Sequence, residues 1–419
     1  MPKKYTKDFH KLAGLVTYNS FGFFFLDFII PFIAVELLHI SGTEMGLLFS
    51  FRIIGYFFSS SFVGLLADRY SRRNLIIIGS TGRGIAYFIM YGAIVLINLP
   101  WLLLSNLFLG FMAGFFWIPF DALIADKSAK ENRSQAYGIR TSAQGTGVFI
   151  GASIGFFILW NFEPNTLLMY SSIPIFGLAN FYASWKAYKV ITNEKIESIE
   201  PPSQIETIPT TYNVVSPRKM YAGIALLAFV IFLDAINGSL AKPFIIPYFL
   251  NNFTNSVSIT SFVYIPVGLV SILLAPRLGK LVDKVNIYIG VSICSMIGAL
   301  VTYLLISTHS IIIFSILLTV DEMIVITVSL ILSNVFSRIS IKHRGKLIGS
   351  SIFFTNFGGI IGPITGGILW QYYSDKMPFI VSIGVELLII PFIILAILIL
   401  TPYFEEKIYP KGSISEVLG

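Results

Sequence analysis

Charged residues are scarce in this chain of 419 residues. They make up 12% of it, whereas hydrophobic residues make up 55%. A soluble domain of that composition would expose far more apolar surface to water than folded domains tolerate. Together with a mean hydropathy of +0.79, the shortage of charge predicts that most of the chain lies in lipid.

Several residue types and motifs that carry chemistry are also missing. A single cysteine, Cys294, excludes an intramolecular disulfide, and the four histidines lack the spacing of metal ligands. No GxxxxGK[ST] phosphate loop occurs, which argues against direct ATP hydrolysis. No nucleophile motif is present either, so the sequence predicts no enzyme activity, no metal and no cofactor.

Long apolar segments fill the chain. A bilayer core about 30 Å thick takes roughly 20 helical residues per crossing, and the segments are apolar throughout rather than alternating, as membrane helices are. The sequence predicts an all-α membrane protein with twelve spans. These spans begin near residues 12, 45, 75, 100, 136, 165, 219, 256, 286, 310, 347 and 378.

The net charge of +7 could indicate nucleic-acid binding, but the positions of the basic residues argue against it. Lysine and arginine are concentrated in the N-terminal segment and in the even-numbered connections, and Lys376 alone stands in an odd-numbered one. Examples are Lys3, Lys4, Lys7, Lys11, Arg69, Lys130, Lys195, Lys284 and Arg344. By the positive-inside rule, both termini are predicted to be cytoplasmic in a multi-pass protein of the cell membrane.

The two halves of the chain repeat one plan. A polar segment rich in Glu, Pro, Ser and Thr, residues 191–219, is predicted to link a six-span half over 1–190 to another over 220–419. Gly138, Gly147, Gly151 and Gly155 recur 211 positions later as Gly349, Gly358, Gly362 and Gly366. Gly64 and Asp68 recur 215 positions later as Gly279 and Asp283. Transporters built from repeats show such internal symmetry.

Two motifs carry a family resemblance. GLLADRYSRR, which begins at Gly64, stands between spans two and three, and GGIIGPITGG, from Gly358 to Gly367, lies in span eleven. With both motifs in place, the chain resembles the major facilitator superfamily over essentially its whole length. The resemblance implies two pseudo-symmetric six-helix bundles around a central cavity. It departs at Ala152, where drug and proton antiporters of the family carry proline, and at Asn106, where an arginine is usual.

The charged loop between spans two and three is predicted to act in cytoplasmic gating. Gly64 permits close helix approach, Asp68 suits a helix N-terminus of the other half, and Arg72 and Arg73 can pair with Asp126. The resemblance implies a latch that favours the outward-facing state, with Asp283 as the second copy of Asp68. The alternative is that these residues only supply positive charge and a turn. The glycine motif, which comprises Gly358, Gly362, Pro363, Gly366 and Gly367, is predicted to pack helices.

Ionisable side chains within spans are costly and therefore indicate function. The acids are Asp27, Asp121, Asp234, Asp321, Glu322 and Glu386, and five of the six fall on spans one, four, seven and ten, which line the cavity in the family. Asp27, Asp234, Asp321, Glu322, Arg52 and Asn237 are the candidates for substrate or proton binding. The structural alternatives are that Arg52 pairs with Asp27 or Glu36 and that Arg83 satisfies neighbouring carbonyls.

The sequence thus favours a secondary transporter that works by alternating access, with protons as the coupling ion and a small molecule as substrate. Export of cationic or amphipathic compounds is one form. Uptake of a sugar, amino acid or organic acid is the alternative, with Arg52, Arg83 or Lys242 contacting an anion or polar group. A non-transporting receptor or scaffold is the alternative of another class. We expect a monomer in the bilayer that binds no nucleic acid.

Overall fold

Helices account for nearly all of the structure. The computed structural model describes residues 4–67, 69–129, 132–162, 166–192, 217–254, 256–268, 287–338 and 344–401, and no strand runs through these ranges. The helices of the first half are α1 Phe9–Ala13, α2 Leu15–Asn19, α3 Phe23–Glu36, α4 Gly42–Ala67, α5 Arg72–Val95, α6 Leu99–Asp126, α7 Arg133–Asn161 and α8 Ser172–Val190. Those of the second half are α9 Pro217–Leu240, α10 Ile245–Asn252, α11 Val257–Gly268, α12 Ile287–Ser307, α13 Ile311–Arg338, α14 Arg344–Tyr372 and α15 Met377–Leu400.

These helices follow the expected spans in order. Within the described residues, 10 helical stretches are long and apolar enough to cross a membrane. The remaining two spans coincide with α8, of 19 residues, and with the shorter apolar helix α11, after which residues 269–286 lie outside the described part. The all-α membrane fold predicted from the sequence is confirmed, and twelve spans are consistent with it.

Contacts between residues divide the chain into two compact units. The first comprises Met1–Ile40 and Leu47–Thr210, and the second comprises Ser41–Gly46 and Thr211–Gly419. Residues 193–216 of the predicted linker lie outside the described ranges, so the boundary drawn through it remains a prediction.

The first unit is built around α5, which packs between α6 and α8. Its main core joins side chains of α1 and α2 to those of α5, α6 and α8, among them Leu12, Val16, Ile76, Phe120 and Ala187. In the second unit, α9 packs on α14 and α15, and α12 packs on α13 and α15. Its core includes Val230, Val291, Ile389 and Ile393. The two cores thus rest on equivalent helices of the two halves.

Glycines set the closest helix contacts in both units. In the first, Gly147 and Gly151 of α7 face the backbone carbonyls of Thr17 and Phe21, and Gly155 lies on the Phe25 ring. A Cβ at any of these positions would overlap its neighbour. Small residues allow such backbone contact in membranes.

The second unit repeats this contact between α14 and α9. Gly358 faces the Phe232 carbonyl, Gly362 faces Ser239, and Gly366 faces the carbonyl of Leu240. The glycines related by the offset of 211 therefore make equivalent contacts. The other two motif residues, Pro363 and Gly367, lie against Gly46 and Gly42 at the start of α4, which groups with the second unit.

The first and seventh spans are interrupted. The first breaks at Ser20–Gly22, between α2 and α3, and the seventh breaks at Ala241, followed by the 3₁₀ turn Lys242–Phe244. Pro243 explains the second break, because proline has no N–H to continue the helix. The first break contains no proline, and it frees backbone groups inside the span.

A buried ion pair fastens the N-terminal segment to the first unit. Asp8 Oδ2 accepts a hydrogen bond from Lys127 Nζ at 2.7 Å, and the two side chains are 8% and 1% exposed. Thr192 donates to the same carboxylate from its N–H at 3.0 Å and its hydroxyl at 2.9 Å, and Thr6 donates to Oδ1 at 2.7 Å. We name Thr6, Asp8, Lys127 and Thr192 the N-terminal clasp.

The clasp joins three places that are far apart in sequence, namely the N-terminal segment, the end of α6 and the residues just after α8. Backbone bonds extend it, from Thr6 N to Lys127 O at 3.1 Å and from Ala129 N to Lys4 O at 3.0 Å. Burial raises the pKa of Asp8, but hydrogen bonds from Lys127, Thr192 and Thr6 outweigh it and lower the pKa to about 2. The carboxylate therefore stays charged at neutral pH.

The glycine contacts predict a position-dependent effect of one methyl group. Gly151→Ala should lower the thermal unfolding midpoint of the detergent-solubilised protein, because overpacking costs about 1 to 3 kcal/mol. Gly138→Ala, on the same helix, is the matched control, since nothing lies within 4 Å of its Cβ position. Equal midpoints for the two variants would contradict the proposed packing role of Gly151.

Removing the charge of Asp8 should destabilise the first unit. Asp8→Asn leaves Lys127 buried without its ion pair, which costs about 3 kcal/mol at pH 7. Since the folded pKa lies below the usual value for aspartate, this stability is present above about pH 4 and is lost as the pH falls toward about 2. Unfolding midpoints of wild type and variant should therefore differ by a constant amount from about pH 5 to 8 and converge in acid. A difference that stays unchanged at about pH 3 would refute this account.

Candidate functional site

The charged loop after α4 makes two contacts with other helices of the first unit. Arg72, at the start of α5, forms an ion pair with Asp126 at the end of α6. Arg73 donates to the Tyr188 carbonyl in α8, and its guanidinium lies 4.7 Å from the centroid of the Tyr188 ring. The loop is therefore tied to both neighbours of α5, at the end of the unit that the sequence places in the cytoplasm.

The other residues of the predicted latch provide less evidence for a gating role. Gly64 is exposed, and nothing in the described part of the chain lies within 4 Å of its Cβ position, so the close approach expected there is not seen. Asp68 and Asp283 lie outside the described residues. The gating role of this loop remains a prediction.

Asp27 of α3 is paired with a base from the next span. Its Oδ1 accepts a hydrogen bond from Arg52 Nη2 of α4 at 3.0 Å, with side chains 18% and 31% exposed. The Arg52 guanidinium also lies 5.6 Å from the Phe49 ring centroid. Arg52 and Asn106 line the same small crevice. Of the two partners expected for Arg52, the structure shows Asp27.

A second acid of the first unit is paired in the same way. Asp121 of α6 accepts from Arg140 Nε of α7 at 3.2 Å, and Arg140 also donates to Gln144 at 2.6 Å. The guanidinium lies 4.6 Å from the Trp117 ring centroid. Trp117 in turn contacts Phe23 and Phe116. An aromatic patch on α3 and α6 thus adjoins a charged pair.

In the second unit three acids from different helices lie within electrostatic range of one another. Glu386 of α15 interacts with Asp321 of α13 and with Asp234 of α9. The Glu386 carboxylate lies over Gly298 of α12, where a Cβ would leave no room for it. We name Asp234, Asp321 and Glu386 the acid cluster.

Neutral hydrogen-bonding groups surround the acid cluster. Thr302 donates to Asp321 Oδ1 at 3.3 Å. Asn237 bonds to the Glu386 carboxyl, and its own Oδ1 accepts from Ser382 at 2.6 Å. Amides and hydroxyls can bond both to a charged carboxylate and to its protonated form. The cluster is therefore suited to groups that change their protonation state.

The acids of the two units differ in whether they have a basic partner. In the first, Asp27 and Asp121 each have an arginine partner. In the second, no lysine or arginine of the described residues pairs with Asp234, Asp321 or Glu386. Glu322 lies on α13 beside Asp321 and interacts with it electrostatically. Uncompensated acids in a membrane span are where proton binding is expected.

Sequence reasoning missed part of this arrangement. Glu386 lies on span twelve, which does not line the cavity in the resembling family, so it was not placed among the coupling residues. Thr302 and Ser382 carry no sequence signal, because a hydroxyl in an apolar helix usually bonds to its own backbone. The pairing of Asp121 with Arg140 was also not predicted, since the two residues are 19 positions apart on separate helices.

Comparison with known proteins agrees with this architecture. The sequence profile of the Major Facilitator Superfamily matches residues 12–219 and 227–414. The chain is 23% identical over 343 residues to "Multidrug resistance protein 1" of Bacillus subtilis (strain 168), covering 80% of this chain and 82% of that protein. It is 24% identical over 377 residues to "Multidrug resistance protein MdtG" of Escherichia coli O17:K52:H18, covering 86% and 87%.

Solved structures show the same fold. The inward-facing, unoccupied crystal structure of a bacterial homolog to the human lysosomal transporter Spinster matches with a TM-score of 0.70 at 13% identity. The match covers 95% of this chain and 98% of that one. At this identity the likeness concerns the fold alone, and it agrees with the two halves expected from the sequence.

A double-mutant cycle on Asp27 and Arg52 separates pairing from function. Asp27→Asn and Arg52→Gln should each lower the unfolding midpoint, because each leaves a half-buried charge without its partner, at about 1 to 3 kcal/mol. The double variant should recover most of that loss. Losses that simply add would show that the pair contributes nothing. If the double variant folds normally but does not transport, the pair or one of its two side chains is needed for function as well as for stability.

Proposed function

The chain belongs to the major facilitator superfamily, and on that premise we propose that it exports cationic or amphipathic compounds in exchange for protons. Members of the family carry small-molecule substrates across membranes, so the chain is a multi-pass membrane transporter. The coupling ion, the substrate class and the direction are our proposal. We propose further that it works as a monomer, leaves its substrate chemically unchanged and has both termini in the cytoplasm.

The acid cluster is the observation that supports proton coupling. Asp234, Asp321 and Glu386 come from three helices and have no basic partner in the described part of the chain. Acids inside a membrane span that lack a basic partner indicate a role in proton binding. A cluster of this kind holds a proton that it can release when its surroundings change.

Exchange follows from competition for the same negative charge. When a carboxyl oxygen of the cluster takes up a proton, the charge that attracts a cation is lost and a bound cationic solute is released. When access alternates and the proton leaves on the other side, the carboxylate that remains attracts the next cation. Thr302 and Asn237 hydrogen-bond the carboxyl groups and would hold them in position through both steps.

Two further findings support a cationic or amphipathic substrate. The first unit carries partly buried aromatic rings, Phe23 and Trp117, and aromatic faces favour apolar and cationic groups. The similar proteins of Bacillus subtilis and Escherichia coli are named for multidrug resistance. Ala152, in place of the proline typical of drug and proton antiporters, argues against this subclass.

Uptake of a polar or anionic solute is the second candidate. Arg52 favours it, because its side chain remains 31% exposed beside Asp27. An organic acid could bind there in competition with that carboxylate. In this case protons and solute would move in the same direction.

Transport in liposomes tests the proposal. The purified protein is reconstituted around a pH-sensitive dye and exposed to cationic drugs, sugars, amino acids and organic acids. Asp234→Asn, Asp321→Asn and Glu386→Gln should each reduce substrate-driven proton flux about tenfold or more, because each removes a titratable carboxyl. Asp375→Asn is the control, since that carboxylate bonds to Asn252 near the surface of the same unit.

The outcomes separate the candidates. Opposite movement of protons and solute supports exchange, whereas movement in the same direction supports the second candidate. Solute transport that proceeds without proton movement in wild type and all variants would contradict proton coupling. If no solute moves at all, the receptor or scaffold alternative gains support.

A further inference from the structure

The break in the first span is covered by an arginine. Between α2 and α3 the chain makes only turn bonds, from Ser20 N to Thr17 O at 3.3 Å and from Phe23 N to Ser20 O at 3.2 Å. In a bilayer, backbone groups freed by a break must find partners within the protein. Arg83 Nη2 of α5 donates to the carbonyl of Asn19 at 2.8 Å. Arg83 therefore caps the end of α2. This agrees with the structural alternative predicted from the sequence, that Arg83 satisfies neighbouring carbonyls.

The bond to the Asn19 carbonyl uses only the Nη2 group of Arg83. Arg83 is 1% exposed, and its guanidinium lies 5.1 Å from the centroid of the Phe23 ring and 5.9 Å from that of Phe116. Its Nε and Nη1 groups have no hydrogen-bond partner in the described part of the chain, and no carboxylate there pairs with it. A buried cation without a counter-charge is costly, even beside aromatic rings.

Two more buried polar groups belong to the break or reach it. The hydroxyls of Ser20 and Tyr87 are fully buried; that of Ser20 has no hydrogen-bond partner among the described residues, and that of Tyr87 has at most the Arg83 guanidinium. A Cβ at Gly22 would lie 2.5 Å from Tyr87 Oη, so this hydroxyl reaches the break. It also lies close enough to Arg83 to interact with it.

The start of α3 adds positive potential to the break. This helix has 14 residues and begins at Phe23, and the N-terminal end of a helix dipole favours anions. The Arg83 guanidinium, the Tyr87 hydroxyl and the start of α3 thus lie together at the break, and Ser20 is part of the break itself. Each of them can donate a hydrogen bond to an anion, and the guanidinium needs a negative charge.

We infer that the break in the first span binds a small inorganic anion, held by Arg83, Tyr87 and Ser20 at the start of α3. Because Ser20, Arg83 and Tyr87 are fully buried, the site suits a monatomic anion such as chloride rather than a bulky solute. The bound anion neutralises Arg83 and fixes the angle between α2 and α3. This inference does not rest on the proposed transport function, because it concerns the interior of the first unit alone.

Thermal unfolding measures this binding with chloride as the probe. The full-length protein in detergent is unfolded in sodium chloride or sodium gluconate at equal ionic strength. The midpoint of the wild type should rise with chloride, in proportion to the logarithm of its concentration once this exceeds the dissociation constant, whereas gluconate should have no such effect. The same midpoint in both salts at every concentration would overturn the inference.

Matched variants assign the effect to the break. Tyr87→Phe and Ser20→Ala each remove one donor and should weaken the chloride response about tenfold, as loss of a hydrogen bond to a charged group predicts. Tyr170→Phe is the control, because it removes another buried hydroxyl of the same unit that has no partner in the described residues. A chloride response in Tyr87→Phe equal to that of Tyr170→Phe would also overturn the inference.

Chloride-35 NMR gives a second readout that does not depend on unfolding. Wild-type protein should broaden the chloride line, and added bromide should reverse the broadening by competition. Tyr87→Phe should broaden it less than Tyr170→Phe does. If Arg83→Gln folds, it should broaden the line no more than buffer. Broadening of wild-type strength in Arg83→Gln would place the anion elsewhere and contradict the inference.

Discussion

A lipid bilayer offers no hydrogen bonds, so every polar group inside it depends on a partner within the protein. The first unit meets this requirement for its acids and for one carbonyl of the interrupted first span. The freed carbonyl of Asn19 is bonded by Arg83, and the carboxylates of Asp27 and Asp121 are each paired with an arginine from a neighbouring helix. The second unit holds Asp234, Asp321 and Glu386 without such partners in the described residues. In the function proposed here, protons taken up from outside the protein neutralise these acids.

The fold was largely predictable because it follows from the composition of each segment. Lipid selects apolar helices, so the spans can be read from hydropathy, and the family is carried by the contiguous motifs GLLADRYSRR and GGIIGPITGG. The pairing of Arg72 with Asp126 was also expected from the sequence and is confirmed. The break at Ser20–Gly22 was not, because no proline marks it and the surrounding residues are as apolar as those of an intact helix.

The candidate site was harder to predict because its contacts are tertiary. Asp121 and Arg140 are 19 positions apart on separate helices, and neither has a neighbour in sequence that identifies its partner. Glu386 looked peripheral because span twelve does not line the cavity in the family, yet α15 packs directly on α9 and α12. The positions of buried charges depend on which helix faces meet, and helical periodicity alone does not determine that.

The two halves share their glycine-mediated helix packing but differ in the surroundings of their acids. Glycines at matching positions of α7 and α14 contact the first helices of their own units in the same way. The sequence FLD occurs in both halves, as Phe25–Asp27 and Phe232–Asp234, yet Asp27 pairs with Arg52, whereas no lysine or arginine of the described residues pairs with Asp234. The two halves therefore share their backbone contacts but differ at their charged positions.

The N-terminal clasp also bears on the order of biosynthesis. Thr6 and Asp8 leave the ribosome first, whereas Thr192, which completes the hydrogen bonds of the same carboxylate, follows α8. The clasp therefore cannot close until the whole first half has been translated, and domains generally fold as units in that order. Until Thr192 has been synthesised, the Asp8 carboxylate lacks two of its hydrogen bonds. Completion of the clasp therefore coincides with completion of the first half of the chain.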